Sequence, residues 1–351
     1  MSRQTLRVLV VDDSALYRKM LLNVLGRISG VEVVGVAEHG AEAVEMVATL
    51  RPDVLTLDVQ MPELDGIGVL RALRERGVDC RTIMVSSLTQ QGAPIATEAM
   101  LEGAFDVVAK PMDLAPHEAR EFLHQQLVEK FEAVRASHQI AKGPASAPRG
   151  REAGRACGFD VVAIASSTGG PPVLREILSA LPGEFPVPVL IVQHMPPVFT
   201  ASLAKRLNEV CSLEVVEATD RMRVEPGKVY IAPGGVHLTV RRLEDVVRTR
   251  LLDAPPRHGC RPSFDVLGES LVEAYRGRVV AAVLTGMGCD GLEACRQLKA
   301  EGASVLAQTA ETCAVFGMPK CVIEAGLADG VLPPDGVAMA LVAMARKRHQ
   351  G

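Results

Sequence analysis

The chain contains few aromatic residues and no cysteine pattern of the zinc-binding kind. It has 351 residues with no tryptophan, and aromatic residues make up only 3% of it. Surfaces that bind single-stranded nucleic acids stack bases on aromatic side chains, so this shortage argues against such a partner. The net charge of −4 also lacks the basic excess expected of a nucleic-acid-binding protein. The eight cysteines form no CxxC pair and no Cys/His cluster with zinc spacing, so we expect reduced thiols that fill the core.

Targeting and membrane-spanning segments are also missing from the sequence. The N-terminal stretch "MSRQTLRVLVVDD" runs directly into acids, unlike a signal peptide. The longest uncharged stretch, residues 185–204, contains four prolines as well as Gln193 and His194. A helix that crosses a bilayer needs about 20 predominantly apolar residues. We therefore expect a soluble, cytoplasmic protein with no membrane insertion.

Apolar runs alternate with amphipathic stretches in the first part of the chain, as in an α/β fold with a parallel sheet. The helical pattern between these runs, for example over 15–28 and 41–50, predicts five βα units. The predicted strands are 6–11, 31–37, 54–57, 81–86 and 105–109.

The same alternation begins again at residue 159 and predicts a second, doubly wound α/β domain. Segments 228–233 and 236–242 have the pattern of a hairpin. Residues 133–157 lose apolar periodicity and are rich in Pro, Ser, Ala, Gly and basic residues, as linkers are. We predict domains at 1–128 and 158–348, joined by a linker at 129–157. The strands predicted for the second domain are 159–167, 187–194, 278–286 and 304–308, and its helices are 171–181, 199–210, 262–275 and 292–302.

Five polar residues follow strands of the first domain. Asp12 and Asp13 end the first strand, Asp58 the third, Ser86 the fourth and Lys110 the fifth. The carboxyl ends of parallel strands meet at one edge of a sheet, so these side chains should converge. An aspartate after a strand is often only a helix cap, but the whole set favours a Mg²⁺-dependent phosphoryl-transfer site.

Residues 5–125 resemble a response-regulator receiver domain. The resemblance implies a flavodoxin-like five-stranded fold, a histidine kinase as phosphodonor, and Asp58 as the phosphorylated residue. It also implies that Asp12, Asp13, Asp58 and the Gln60 carbonyl hold Mg²⁺, and that Ser86 and Lys110 sense the phosphate. The motifs that carry it are "VDDS", "LDVQMPELDG", the serines at 86–87 and "AKP".

The stretch "VVAIASSTGGPP" places hydroxyls where a strand of the second domain turns into a helix. Ser167, His194 and Asp290 each follow an apolar strand, so they can meet as nucleophile, base and orienting acid. His237 is a second candidate for the base. A phosphate site without GxxxxGK[ST] or GxGxxG, and a structural Ser/Thr cap, are the other interpretations of this turn.

Residues 159–347 resemble the catalytic domain of the chemotaxis receptor methylesterases. By this resemblance Ser167 is the nucleophile, His194 the base, Asp290 the orienting acid and the Met287 N–H an oxyanion donor, with Thr168 beside the site. At positions 165 and 166 the chain has Ala and Ser where the family usually has Gly and Ala. The motifs that carry the resemblance are "AIASSTGGP", "VQHMPPVFTASLAKRL", "YIAPGGVHL", "RPSFDVL", "LTGMGCDGL" and "FGMPK".

The two resemblances together imply phosphorylation-activated hydrolysis of glutamate γ-methyl esters on methyl-accepting chemoreceptors, with methanol as a product. They also imply deamidation of receptor glutamines, and no cofactor at the esterase site. Two other hypotheses remain at this point. One is a phosphorylation-dependent adaptor with an inactive hydrolase domain, and the other is a hydrolase of different esters.

Overall fold

The computed structural model describes residues 5–87, 92–111, 114–140 and 158–347. The chain forms two compact units, Met1–Gln139 and Ile140–Gly351. Both are α/β structures built on a parallel sheet, as the sequence predicts. Within the described residues, no helix combines the length and the apolar character needed to cross a membrane.

The first unit contains a five-stranded sheet in the order β2-β1-β3-β4-β5, and neighbouring strands are parallel. The sheet is covered by helices, so its inner strands are nearly continuous apolar runs rather than alternating ones. Its strands are β1 (Leu6–Val11), β2 (Val31–Ala37), β3 (Val54–Asp58), β4 (Arg81–Ser87) and β5 (Asp106–Lys110). Its helices are α1 (Ala15–Leu25), α2 (Gly40–Leu50), α3 (Gly66–Glu75), α4 (Gly92–Leu101) and α5 (Pro116–Ile140).

Helix α5 corrects the predicted start of the linker. Residues 129–140 continue this helix, although the sequence pattern assigns them to a linker. The reason is an apolar stripe at helical spacing, Leu127, Phe131 and Val134, whose side chains are fully buried. The rest of the predicted linker, 141–157, lies outside the described residues.

The second unit contains a seven-stranded parallel sheet in the order β14-β13-β12-β6-β7-β9-β8, and a separate two-stranded ribbon of β10 and β11. Helices α6 to α11 complete a doubly wound fold. The strands are β6 (Val161–Ser166), β7 (Val189–Gln193), β8 (Glu214–Glu217), β9 (Lys228–Ile231), β10 (His237–Leu243), β11 (Val246–Leu252), β12 (Val279–Val283), β13 (Ser304–Gln308) and β14 (Gly330–Leu332). The helices are α6 (Gly170–Ser179), α7 (Phe199–Val210), α8 (Phe264–Tyr275), α9 (Leu292–Ala300), α10 (Met318–Glu324) and α11 (Pro334–Lys347), with a 3-10 turn at Ala310–Thr312.

The predicted hairpin of 228–233 with 236–242 is wrong. Strand β9 instead lies between β7 and β8 in the parallel sheet, and β10 pairs with β11. The difference follows from burial. Successive residues Val229, Tyr230 and Ile231 are all fully buried, as in a strand covered on both faces, whereas the last three residues of β10, 241–243, are all exposed.

Helices α8 and α9 pack closely because a glycine faces an alanine. A Cβ atom added at Gly268 would lie 2.3 Å from the Cβ of Ala294, far inside van der Waals contact. The contact therefore depends on a glycine at position 268, although glycine costs a helix about 0.5–1 kcal/mol relative to alanine.

We expect Gly268→Ala to destabilise the chain by about 1–3 kcal/mol, because overpacking outweighs the gain in helix propensity. Adding Ala294→Gly should remove the collision, so the double variant should be more stable than the sum of the two single changes predicts. Calorimetric melting of all four proteins measures this coupling. Additive effects would show that the two positions are not in contact.

Candidate active site

The acid cluster forms at the carboxyl edge of the first sheet. Lys110 Nζ lies 2.8 Å from Asp12 Oδ2 and 2.7 Å from Asp58 Oδ2. All three of these residues are buried, while Asp13 is exposed. Burial is the main factor that raises the pKa of Asp58, and Asp12 adds to it, although Lys110 opposes the shift. Burial lowers the pKa of Lys110, but Asp58 and Asp12 outweigh it and the net shift is upward.

The three aspartates fit a hard divalent cation. One carboxylate oxygen from each of Asp12, Asp13 and Asp58 lies within 4.8 Å of the other two. Oxygen ligands of this kind are the ones that Mg²⁺ prefers, and a cation would offset their mutual repulsion. Ser86 is buried at the end of β4, where Asp58 pairs with Val85, the residue before it. The structure therefore brings the predicted residues to one edge.

The second unit places its polar residues at the ends of three neighbouring strands. Strand β6 is the first strand of this unit, and it lies between β12 and β7. The chain order reverses here, which is where open α/β sheets bind ligands. Ser167 follows β6, His194 follows β7, and Asp290 lies in the loop after β12.

The two glycines after Ser167 permit a close turn into α6. Gly169 has φ +76°, a left-handed conformation, and a Cβ atom there would lie 2.3 Å from the Cβ of Ala314. A Cβ at Gly170 would lie 2.1 Å from Gln193 Oε1. Side chains at either position would therefore separate the turn from its neighbours, and the amino end of α6 would move away from Ser167.

The strongest polar contacts of the site converge on Asp290, which is only 3% exposed. His194 Nε2 donates to Asp290 Oδ2 over 2.8 Å, and the Phe264 N–H donates to the same oxygen over 2.7 Å. The other oxygen accepts from Ser263 Oγ at 2.6 Å and from the Asp265 N–H at 3.2 Å. The carboxylate therefore lies at the amino end of α8, where the helix dipole favours negative charge.

These contacts shift both ionisable partners. Burial alone would raise the pKa of Asp290, but the hydrogen bonds from His194, Ser263 and Phe264 lower it. Burial alone would lower the pKa of His194, but its hydrogen bonds with Asp290 and Cys260 raise it to about 9. Both shifts favour the charged pair, an imidazolium beside a carboxylate.

Cys260 is a contact of the base that the sequence motifs did not indicate. Its Sγ lies 3.7 Å from His194 Nδ1, on the side of the ring opposite Asp290. The side chain arrives from a loop in which Arg257 and Cys260 exchange backbone hydrogen bonds. Within the described part of the chain, no hydrogen bond joins the Ser167 hydroxyl to the His194 ring. The Cys260 thiol instead contacts Nδ1, the nitrogen that would accept the serine proton.

The two adjacent serines have different surroundings. Ser166 is fully buried, and its hydroxyl donates to Gln193 Oε1 over 2.7 Å. Gln193 in turn donates to the Ser167 carbonyl over 2.9 Å. Side chains alternate along a strand, so Ser167 points to the other side. The serine at position 166 thus adds a hydrogen bond to Gln193 on the side of the strand away from Ser167. The Ser167 hydroxyl remains the candidate nucleophile.

The loop after β12 presents Met287, which is exposed, and Thr168 lies buried beside Ser167. Gly286 supports this loop through its N–H to the Val315 carbonyl. A disulfide between Cys289 and Cys321 links the loop to α10, with a Cα–Cα distance of 5.7 Å. The expectation that all cysteines are reduced is therefore wrong for this pair. Its sequence separation of 32 residues gave no recognisable motif.

His237, the second candidate for the base, is fully buried and has a supporting role. Its Nδ1 accepts from the Ser263 N–H at 3.1 Å, and its Nε2 donates to the Pro255 carbonyl at 3.1 Å. Both ring nitrogens are thus engaged. His237 orients Ser263, whose hydroxyl holds Asp290.

Comparisons with known proteins agree with the description of both units. The family model described as "CheB methylesterase" matches residues 162–341, and the "Response regulator receiver domain" model matches residues 8–120. A protein-glutamate methylesterase/protein-glutamine glutaminase of Archaeoglobus fulgidus is 42% identical over 96% of this chain and 97% of its own. A protein of the same name from Trichodesmium erythraeum is 39% identical over 96% of this chain and 98% of its own.

Among solved structures, the catalytic domain of the Thermotoga maritima CheB methylesterase matches with a TM-score of 0.52 and 44% identity. The match covers 54% of this chain and all of that domain. The relatives are similar over nearly their whole length, receiver included, and the family models divide the chain as its two units do. The chain belongs to the family of protein-glutamate methylesterases/protein-glutamine glutaminases, in which a receiver domain is joined to a CheB methylesterase domain.

Proposed function

We propose that this protein hydrolyses glutamate γ-methyl esters on chemoreceptors, deamidates receptor glutamines, and is activated in the cytoplasm by phosphorylation of Asp58. The observation that carries the proposal is the hydrogen bond between His194 and the buried Asp290, at the strand ends next to Ser167. A base held by a buried carboxylate beside a hydroxyl is the arrangement that acyl transfer requires. The family membership supplies the substrate class.

The first half of the reaction transfers the acyl group to Ser167. Nδ1 of His194 takes the hydroxyl proton, since Asp290 holds Nε2. Oγ then forms a bond to the ester carbonyl carbon, the bond to methoxide breaks, and His194 returns the proton so that methanol leaves. With a glutamine side chain the leaving group is ammonia. For this step Cys260 has to release Nδ1 to the serine.

The second half uses water as nucleophile. His194 takes a proton from the water, the new carbon–oxygen bond forms, and the bond to Ser167 Oγ breaks as Oγ regains its proton. The product is a glutamate carboxylate. The Met287 N–H and the amino end of α6 are suited to hold the oxyanion in both halves, and one such donor contributes about 2.7–4 kcal/mol in serine hydrolases.

The receiver provides the control. We infer that the Asp58 carboxylate attacks the phosphorus of a phosphohistidine on a histidine kinase, so that the P–N bond breaks and the imidazole leaves. Asp12, Asp13 and Asp58 would hold Mg²⁺, together with the Gln60 carbonyl, and the ion would supply positive charge to the phosphoryl oxygens. Lys110 already lies against Asp58 and is positioned to pair with the new phosphate, and Ser86 offers it a hydroxyl.

Replacing the two adjacent serines separately tests the nucleophile. We expect Ser167→Ala to lower methanol release from methylated receptor membranes by at least about 10³-fold. Ser166→Ala is the matched control and should lower it far less, since that hydroxyl bonds Gln193. Gas chromatography of methanol measures both. Activity that survives Ser167→Ala, or equal losses in the two variants, would contradict the assignment.

The pH dependence tests the role of Cys260. Only the neutral imidazole accepts a proton, so kcat/KM should rise with pH through the His194 pKa of about 9. Cys260→Ala removes one of the two hydrogen bonds that raise this pKa, so the rise should move to lower pH. NMR titration of the His194 ring gives the pKa directly, and Cys211→Ala is the control. An unchanged profile in Cys260→Ala would exclude this contact.

The phosphorylation switch is tested with a small phosphodonor and Mg²⁺. We expect methanol release to rise severalfold in the wild type and in the control Asp79→Asn, whose side chain is 88% exposed. Asp58→Asn should eliminate the rise, and so should removal of Mg²⁺ by a chelator, because each removes a part of the phosphoryl-transfer site. A rise that persists in Asp58→Asn would place the activating group elsewhere.

A further inference from the structure

Exposed arginines gather on the outer face of the β10–β11 ribbon. Arg241, Arg248 and Arg250 belong to the ribbon, and Arg221 comes from the segment beside it. We call these four residues the arginine face. They line an open groove of about 530 Å³ in which Asp220 is the single acidic residue.

The register of the ribbon places like charges together. Arg241 lies directly opposite Arg248, and Arg250 lies opposite Thr239. Like charges in opposed positions of an antiparallel pair are destabilising. The inner face of the same ribbon, which includes Val240 and Val247, is buried in the core of the unit. The inner face therefore stabilises the fold, whereas the opposed Arg241 and Arg248 repel each other.

Only one of the four arginines of the arginine face has an ion pair with a carboxylate in the described ranges of the chain. Arg221 lies 3.4 Å from Asp220, and Arg248 donates to the Arg221 carbonyl over 2.9 Å. Among the residues that the structure describes, neither Arg241 nor Arg250 has an ion-pair partner. Exposed guanidinium groups without partners bind carboxylates well, because their planar donors match both carboxylate oxygens.

The ribbon begins next to the candidate active site. Its first pair is His237 with Leu252, and His237 accepts from Ser263, whose hydroxyl holds Asp290. At about 3.3 Å per residue, Arg250 is roughly 7 Å along the ribbon from that pair and Arg241 roughly 13 Å. A polypeptide bound on the arginine face would thus lie within a few residues' reach of the catalytic edge.

We propose that the arginine face docks an acidic α-helical segment of the protein substrate. The inference rests on the proposed function and specifies its substrate further: ester sites flanked by glutamates one helical turn apart. Residues one turn apart on a helix are separated by about 6 Å, close to the spacing of roughly 7 Å between Arg248 and Arg250 on one strand. The groove has no aromatic lining for stacking bases, and the acids Glu244 and Asp245 at the ribbon's turn oppose an anionic membrane.

The experiment uses the triple variant Arg241→Gln, Arg248→Gln, Arg250→Gln in the full chain. The matched control carries Arg206→Gln, Arg296→Gln and Arg346→Gln. These changes alter the net charge by the same amount but lie on three helices of the same unit, outside the arginine face. Fluorescence anisotropy measures binding of a synthetic helical peptide with glutamates one turn apart. We expect the triple variant to bind at least about tenfold more weakly than the wild type and the control.

Kinetics on methylated receptor membranes provide the second measurement. The triple variant should show a raised KM with little change in kcat. Rising salt should raise the KM of the wild type toward that of the triple variant, because salt screens the arginine charges. No peptide binding by the wild type, or an equal loss in the control, would overturn the proposal. A loss of small-ester hydrolysis by the same factor as receptor hydrolysis would overturn it as well, since it would indicate a structural defect.

Peptide binding separates this proposal from the proposed function. If the wild type binds the peptide through the arginine face but releases no methanol from receptors, the docking surface stands and the receptor esterase assignment fails. If methanol is released and all three proteins have the same KM, the enzyme assignment stands and the docking surface fails.

Discussion

The second unit depends on one buried carboxylate. Asp290 gathers donors from the amino end of α8 and from His194, so a single side chain ties the β12 loop to α8 and to the end of β7. An isolated buried charge would be costly, and only this set of partners makes it stable. The hydrogen bond with Asp290 orients the imidazole and, together with the one with Cys260, raises its pKa to about 9. Stability and chemistry therefore share the same hydrogen bonds. The contribution of His194 is full below the pKa of about 6.5 of an unfolded histidine and is lost as pH rises through about 9. The contribution of Asp290 is lost as pH falls through its lowered pKa.

The carboxyl edge of the sheet in the first unit has an excess of negative charge instead. Three carboxylates meet at the carboxyl edge of its sheet, and Lys110 offsets the repulsion between Asp12 and Asp58. The surplus of negative charge makes the edge receptive to a cation, and the raised pKa of Asp58 reflects that surplus together with burial. In the second unit the buried carboxylate of Asp290 is instead held by hydrogen bonds from His194, Ser263 and Phe264. One architecture thus supports two chemistries, because the residues that follow the strands differ.

The sequence predicted what depends on local position and missed what depends on long loops. Ser167, His194 and Asp290 follow apolar strands, so the parallel-sheet rule places them at one edge of the sheet, where His194 and Asp290 share a hydrogen bond. Cys260 and Ser263 reach the site from a loop after the ribbon, and no local pattern signals that contact. The ribbon itself was mispaired because β9 is short and its apolar residues fit a hairpin as well as a buried strand.

The β10–β11 ribbon carries both the arginine face and His237, which supports the contacts of Asp290. His237, at its first residue, has both ring nitrogens engaged and fixes Ser263, which holds Asp290. The arginine face lies on the same two strands, a few residues further out. A polypeptide bound there would contact a ribbon whose inner face is packed into the core, whereas Cys260 belongs to a separate loop that follows the ribbon. Substrate binding can therefore leave the Asp290 contacts intact while the thiol gives way to Ser167, which is the one rearrangement that the proposed reaction requires.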